Sequence, residues 1–128
     1  MKTEKSNKEI NIELIKKLIV AINENRACTN ATVEHNNNTF EISHSIFSKE
    51  LNNFYKYLYD NEMIDTNCYE NYKKIESKEI NSMSFEEIIT LLTLINRKER
   101  FCDGTMYEFI KKGKMLKCLS RLLEIADK

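Results

Sequence analysis

The chain has no proline, no tryptophan and only two glycines in 128 residues. Average usage would supply roughly six prolines and nine glycines at this length. Turns must therefore rest mainly on Asn, Asp, Ser and Thr, which hydrogen-bond to nearby backbone and tolerate left-handed conformations. That shortage argues against a many-stranded sheet with tight turns and for helices. Long apolar runs are also missing. The longest, Leu18 to Ile22, falls far short of the about 20 residues a membrane helix needs. Met1 to Glu9 is dense in charge and no apolar stretch follows, so no signal peptide and no membrane partner are expected. The expected location is the cytoplasm. The four cysteines (Cys28, Cys68, Cys102 and Cys118) form no CxxC pair and match no structural zinc spacing. They are expected as reduced thiols, with no metal and no cofactor. Cys102 and Cys118 fall at the edges of apolar stripes, where a thiol packs as a small hydrophobe.

Net charge is missing too, with 20 basic residues against 20 acidic ones, but the two signs are segregated. Ala27 to Asn96 carries five basic and eleven acidic side chains; Arg97 to Lys128 carries nine basic and five acidic. An acidic middle and a basic C-terminal quarter either attract each other within the fold or meet a charged partner. Asn, Lys and Ile are abundant, as in the AT-rich genomes of low-GC bacteria and of phages or plasmids resident in them.

What is present reads as helix. Ser6-Asn7-Lys8-Glu9 has the form of a capping box, and Leu14, Ile15, Leu18, Ile19 and Ile22 recur at helical spacing up to about Asn25. Residues 32–35 and 39–42 alternate as short strands around Asn36-Asn37-Asn38, which predicts a hairpin. A helix is expected from near Ser45, with Phe47, Leu51, Phe54 and Leu58 on one face, and a short one from Asn67 to Lys74. Ser84-Phe85-Glu86-Glu87 is the strongest start signal, a capping box with Met83 and Ile88 at the staple positions. The helix it opens is apolar nearly all round from Ile88 to Ile95 and runs to about Phe101, which marks it as the buried centre. Gly104 then suits a left-handed helix end, Thr105 to Glu108 a new capping box, and Gly113 a second stop. Met115, Leu116, Leu119, Leu122, Leu123 and Ala126 line a last helix. The expectation is one domain over residues 1–128, mainly α, with five or six helices and a short hairpin near 32–42.

No catalytic chemistry is legible. Eight residues separate the glycines and Gly113-Lys114 is followed by Met115, so neither a phosphate loop nor a dinucleotide fingerprint is formed. No HExxH, GxSxG or paired-acid motif occurs, and His35 and His44 flank the hairpin turn without a ligand pattern. The basic region stands out instead. Lys114, Lys117 and Arg121 share one face of the last helix at i, i+3 and i+7, with Lys111 and Lys112 just before. Such a patch suits phosphates or an acidic protein surface, although lysines also serve solubility and the helix dipole.

The run Leu91-Leu92-Thr93, Arg97, Arg100-Phe101, Asp103-Gly104, Gly113, Leu119 and Arg121-Leu122 resembles the LLT…RxxRFxxG…G…LxRL signature of a bacterial family called domain of unknown function 6508. Phe54…Tyr59-Asp60 is similar to its FxxxLYDxG stretch, with Asn61 where glycine is usual. Where the family carries tryptophans, this chain has Cys68-Tyr69 and Tyr72. The resembling region spans about residues 40–125, with the N-terminal helix at about 6–25 packed on it. The resemblance implies a small helical domain and no particular activity, and it draws attention to Arg97, Arg100, Asp103 and Arg121. These arginines either pair with Asp103 and cap helix ends between packed helices, or bind a ligand.

Together these features predict a non-catalytic intracellular module that binds a macromolecule, a protein or a protein–nucleic-acid complex. A phage or mobile-element inhibitor of a host defence complex is one form of it. The expected contact residues are Lys111, Lys112, Lys114, Lys117 and Arg121. Two alternatives stand beside it: direct nucleic-acid binding through the basic last helix, and a small enzyme using the Arg100–Asp103 cluster.

Overall fold

The computed structural model describes residues 10–35, 38–102 and 104–127, and over 30–35 and 38–45 the backbone alone. Six α-helices and one hairpin follow in the order α1 (Ile12–Asn23), β1 (Cys28–His35), β2 (Asn38–Phe47), α2 (Lys49–Asp60), α3 (Cys68–Tyr72), α4 (Phe85–Glu99), α5 (Thr105–Lys111) and α6 (Lys114–Ala126). A single 3-10 turn at Ile80–Ser82 precedes α4. The expected class, mainly helical with one antiparallel hairpin, is what the chain adopts.

The central helix forms where its capping box stands. The Ser84 hydroxyl accepts the Glu87 N–H at 3.2 Å, and the Glu87 carboxylate accepts the Ser84 N–H at 2.8 Å. Met83 and Ile88, the staple pair, are both buried. From Ile88 to Leu94 every residue of α4 is buried, so no side of this helix faces water over two turns. Around it pack Ile15 and Leu18 of α1, Leu51, Phe54 and Leu58 of α2, Met106 of α5, and Met115, Leu119 and Leu122 of α6, all fully enclosed. Tyr55 is drawn into the same core because its hydroxyl donates to the Leu92 carbonyl at 2.9 Å.

Several boundaries differ from expectation, each for a local reason. Asn11 caps α1, its side chain accepting the Leu14 N–H at 3.2 Å; the Ser6–Glu9 box lies outside the described residues. The hairpin is longer than 32–42, with Cys28 paired to Phe47 and Val33 to Ile42, and its turn residues Asn36 and Asn37 also lie outside the description. Because β2 occupies residues 45–47, the α2 cap moves from Ser45 to Ser48, whose hydroxyl accepts the Leu51 N–H at 3.2 Å. Ser48 in turn donates its own N–H to the Ala27 carbonyl at 2.8 Å, closing the base of the hairpin.

Left-handed caps show how the chain manages with two glycines. Arg26 N–H bonds to Ala21 O and Asn25 N–H to Ile22 O; Met63 N–H bonds to Leu58 O and Glu62 N–H to Tyr59 O. Both sets are Schellman caps. Their left-handed residues are Asn25 (φ 58°) and Glu62 (φ 57°), where glycine would be easier. Counting FxxxLYDxG from Phe54 places the motif's glycine on Glu62, not Asn61. Gly104 (φ 96°) and Gly113 (φ 81°) are left-handed as anticipated, but they immediately precede α5 and α6. Thr105 is therefore the first residue of α5 and not its cap. The cap is supplied from another helix: the Glu99 carboxylate accepts the Gly104 N–H at 3.2 Å and the Met106 N–H at 2.8 Å.

Candidate functional site

Burial of Met115, Cys118, Leu119 and Leu122 turns the opposite side of α6 to solvent. Lys111, Lys112, Lys114 and Lys117 are all exposed, and none forms an ion pair among the described residues. The sequence shows no aromatic between them, yet Tyr107 lies one turn before Lys111 on α5. Its ring centre is 5.9 Å from the Lys111 ammonium, a cation–π contact that steadies that lysine. Arg121, grouped with the lysines by spacing, behaves differently. Its Nε donates to the Met83 carbonyl at 2.8 Å and its Nη1 to Glu124 at 3.1 Å, leaving the side chain 20% exposed. Arg121 ties α6 to the start of α4 and stands at the rim of the lysine face.

The Arg97–Arg100–Asp103 grouping is not brought together by what is described. Arg97 reaches across α4, donating from Nη1 to the Thr66 carbonyl at 3.3 Å and lying 3.8 Å from the Cys68 sulfur. Arg100 is exposed at the α4 C-cap, and Asp103 lies outside the described residues. Between them Phe101 is 85% exposed and Cys102 is exposed as well. This corrects the expectation that Cys102 packs against an apolar edge: α4 stops at Glu99, so residues 101–102 leave the helical stripe.

A polar centre that sequence reasoning missed lies beside the buried threonines of α4. Asp65, in the loop between α2 and α3, accepts from Thr90 Oγ1 at 2.6 Å and Asn71 Nδ2 at 2.8 Å on Oδ2. Its Oδ1 accepts the Asn67 N–H at 2.9 Å, while its own N–H donates to Thr93 Oγ1 at 3.1 Å. Thr90 and Thr93 are buried polar residues of α4, and both are satisfied through Asp65 and through carbonyls one turn back. Burial alone would raise the Asp65 carboxyl. Hydrogen bonds from Asn71, Thr90 and the Asn67 N–H, with the Arg97 charge, outweigh it and hold the group below its ordinary value. The signal was present in the sequence: two threonines at i and i+3 interrupt an apolar run, and a buried hydroxyl needs a partner. Beside Asp65 opens a cavity of about 580 Å³ between the loop, α3 and the first turns of α4.

The thiols offer little chemistry. Cys28, Cys68 and Cys118 are buried, and burial pushes the Cys118 thiol up to about 12, far from a nucleophilic thiolate at neutral pH. Among the described residues no group of three or more His, Cys, Asp or Glu could hold a metal ion. Strand register sets His44 opposite Ala31 and His35 opposite Asn38, so the two histidines occupy different rungs. No helix among the described residues is long and apolar enough to cross a membrane.

Ion pairing bears directly on the charge asymmetry. The pairs are Arg26 with Glu24 and Glu50, Lys56–Asp60, Lys73–Glu70, Lys78–Glu87 and Arg121–Glu124. Among the described residues none joins the basic C-terminal quarter to the acidic middle. A link between them is the Arg97 charge, which acts on Asp65 without an ion pair.

The model of a family of unknown function, DUF6508, matches residues 8–128. The match takes in α1 and β1, which lie outside the resembling region of about residues 40–125. No curated protein and no solved structure matches the chain.

Proposed function

The chain belongs to the DUF6508 family, and we propose that it is a non-catalytic interaction module of the cytoplasm, binding an anionic macromolecular surface through the lysine face of α5 and α6. One observation carries this reading. Lys111, Lys112, Lys114 and Lys117 are exposed without ion-pair partners among the described residues, although the chain holds as many acids as bases. Lys16, Lys17, Lys49, Lys74 and Lys98 also lack an ion pair among the described residues, but they are spread along the chain, whereas these four lie together on two consecutive helices and the turn between them. An unpaired strip projects a positive potential over about 8–10 Å at physiological salt and steers an anionic partner. The enzyme alternative, which rests on the Arg100–Asp103 cluster, draws less support, because Arg97 turns to the Thr66 carbonyl and Arg100 and Cys102 are exposed.

Affinity capture tests the proposal, using wild type and a Lys111→Glu, Lys114→Glu, Lys117→Glu variant with and without nuclease. The variant should lose the captured partner, and wild-type capture should weaken as salt rises. Loss of capture after nuclease, with a log–log salt slope of about −3 to −4, would identify nucleic acid as the anionic surface. Equal capture by the folded variant at every salt concentration would refute a role for these lysines.

A further inference from the structure

The acidic middle keeps its own unmatched charge, and it does so around a cavity. The floor of the 580 Å³ cavity is apolar: Met63, Ile64, Ile75, Phe85 and Ile89. Met63, Ile75, Phe85 and Ile89 are core residues that retain 5–8% exposure, while Ile88 and Leu92 on the same helix retain none. The volume lies within the range of about 300–1,000 Å³ typical of small-molecule sites. Its polar wall carries Glu62, Asp65, Glu86 and Glu87 against Lys74. Glu87 is held by Lys78 at 2.7 and 2.9 Å, and Lys74 and the Arg97 charge near Asp65 offset two more carboxylates, so one negative charge is left over. The Asp65 side chain is held in place by three elements of the fold, its own loop, α3 through Asn71 and α4 through Thr90, with the Arg97 charge near the end of α4 acting on it as well. Oδ2 is filled by two donors, whereas Oδ1 accepts only the Asn67 N–H among the described residues and keeps acceptor capacity.

We infer that this cavity is a binding site for a small amphipathic cation, an ammonium compound with an apolar body. The body would fill the space over Ile75, Phe85 and Ile89, and the ammonium would meet Asp65 with Glu62 and Glu86 at the mouth. An anion of the same shape would be repelled by the surplus negative charge. A neutral analogue would gain the apolar burial and lose the charge contribution. This site is separate from the lysine face and stands or falls without it.

Titration calorimetry of the full chain with phenylbutylammonium, phenylbutanol and phenylbutyrate tests the assignment, with methyl NMR shifts to locate the ligand. The ammonium should bind saturably at one site, about fivefold or more tighter than the alcohol, and the carboxylate more weakly than either. The shifts should centre on Ile64, Ile75 and Ile89. A Glu62→Gln, Glu86→Gln variant changes only exposed side chains and should fold. It should still bind the alcohol as wild type does while losing most of the preference for the ammonium. Equal binding of alcohol and ammonium by wild type would overturn the inference. So would an unchanged preference in the variant, shifts elsewhere, or no saturation by millimolar ligand.

Discussion

The two charged regions handle their polar groups in opposite ways. Around Asp65 the core-facing polar atoms are matched: Thr90, Thr93, Asn71 and the Asn67 N–H converge on one residue, and Arg97 closes the loop from outside. On the lysine face four exposed cations form no ion pair among the described residues. The first arrangement is what folding requires, because a buried hydroxyl without a partner costs about 1–3 kcal/mol. The second is unrelated to folding, since exposed charges change stability little. The polar atoms that folding buries are paired, and the exposed lysines are not. Arg121 makes the point within one helix: it shares the lysines' face by spacing, yet its contact with the Met83 carbonyl assigns it to the scaffold.

Breaking the helix both regions share should have the largest effect. Leu92 is fully buried on α4, so Leu92→Ala should destabilise by about 2–5 kcal/mol in chemical denaturation, through lost transfer energy and a cavity. A loss below about 0.5 kcal/mol would show that α4 is not the centre of the core.

The Asp65 clip should come next. Asp65→Asn keeps the shape but removes the charge from three accepted hydrogen bonds, and should cost about 1–2 kcal/mol at neutral pH, given partial exposure. Because the folded state holds this carboxyl below its ordinary value of 3.8, its contribution is complete above that value. It is lost as pH falls through the lower folded value. Wild type should therefore lose its advantage over the variant as pH falls below about 4, and parallel stability curves through acid pH would remove the charge from the account.

A smaller and opposite effect is expected at the cap. Glu62 holds a left-handed backbone that costs a side-chain residue about 1 kcal/mol, so Glu62→Gly should raise stability by up to about that amount. Gly113→Ala should lower it by a similar amount despite the open space around its Cα. If both substitutions destabilise, the α2 cap owes its stability to the Glu62 side chain. The smallest stability change belongs to the lysine face. The triple glutamate variant should unfold within about 0.5 kcal/mol of wild type, and a larger loss would mean those lysines belong to the fold after all.

Much of the scaffold was legible because its signals are short-range. The Ser84 box, the largely apolar run through Ile88–Leu94 and the left-handed glycines appear in the sequence and in the fold alike. Errors arose where two local signals compete and a distant strand decides. Ser45 and Ser48 are both plausible caps, and pairing of Cys28–Asn30 with residues 45–47 leaves the role to Ser48. The lysine face was readable from spacing, while Asp65 was not, because nothing within one helical turn of it announces Thr90 or Thr93.

The sequence by itself determined that this protein is helical, where its long helices run, which helix is central, and that its charges are segregated. Periodicity and capping act over three or four residues, so they are written locally. Only the tertiary structure decided which charges stay unmatched. Asp65 meets Thr90 across 25 residues and Thr93 across 28, and Arg121 meets Met83 across 38. Those distances close only when the whole core sets the positions of its helices, and that packing leaves one face of lysines and one carboxylate-lined cavity open to solvent.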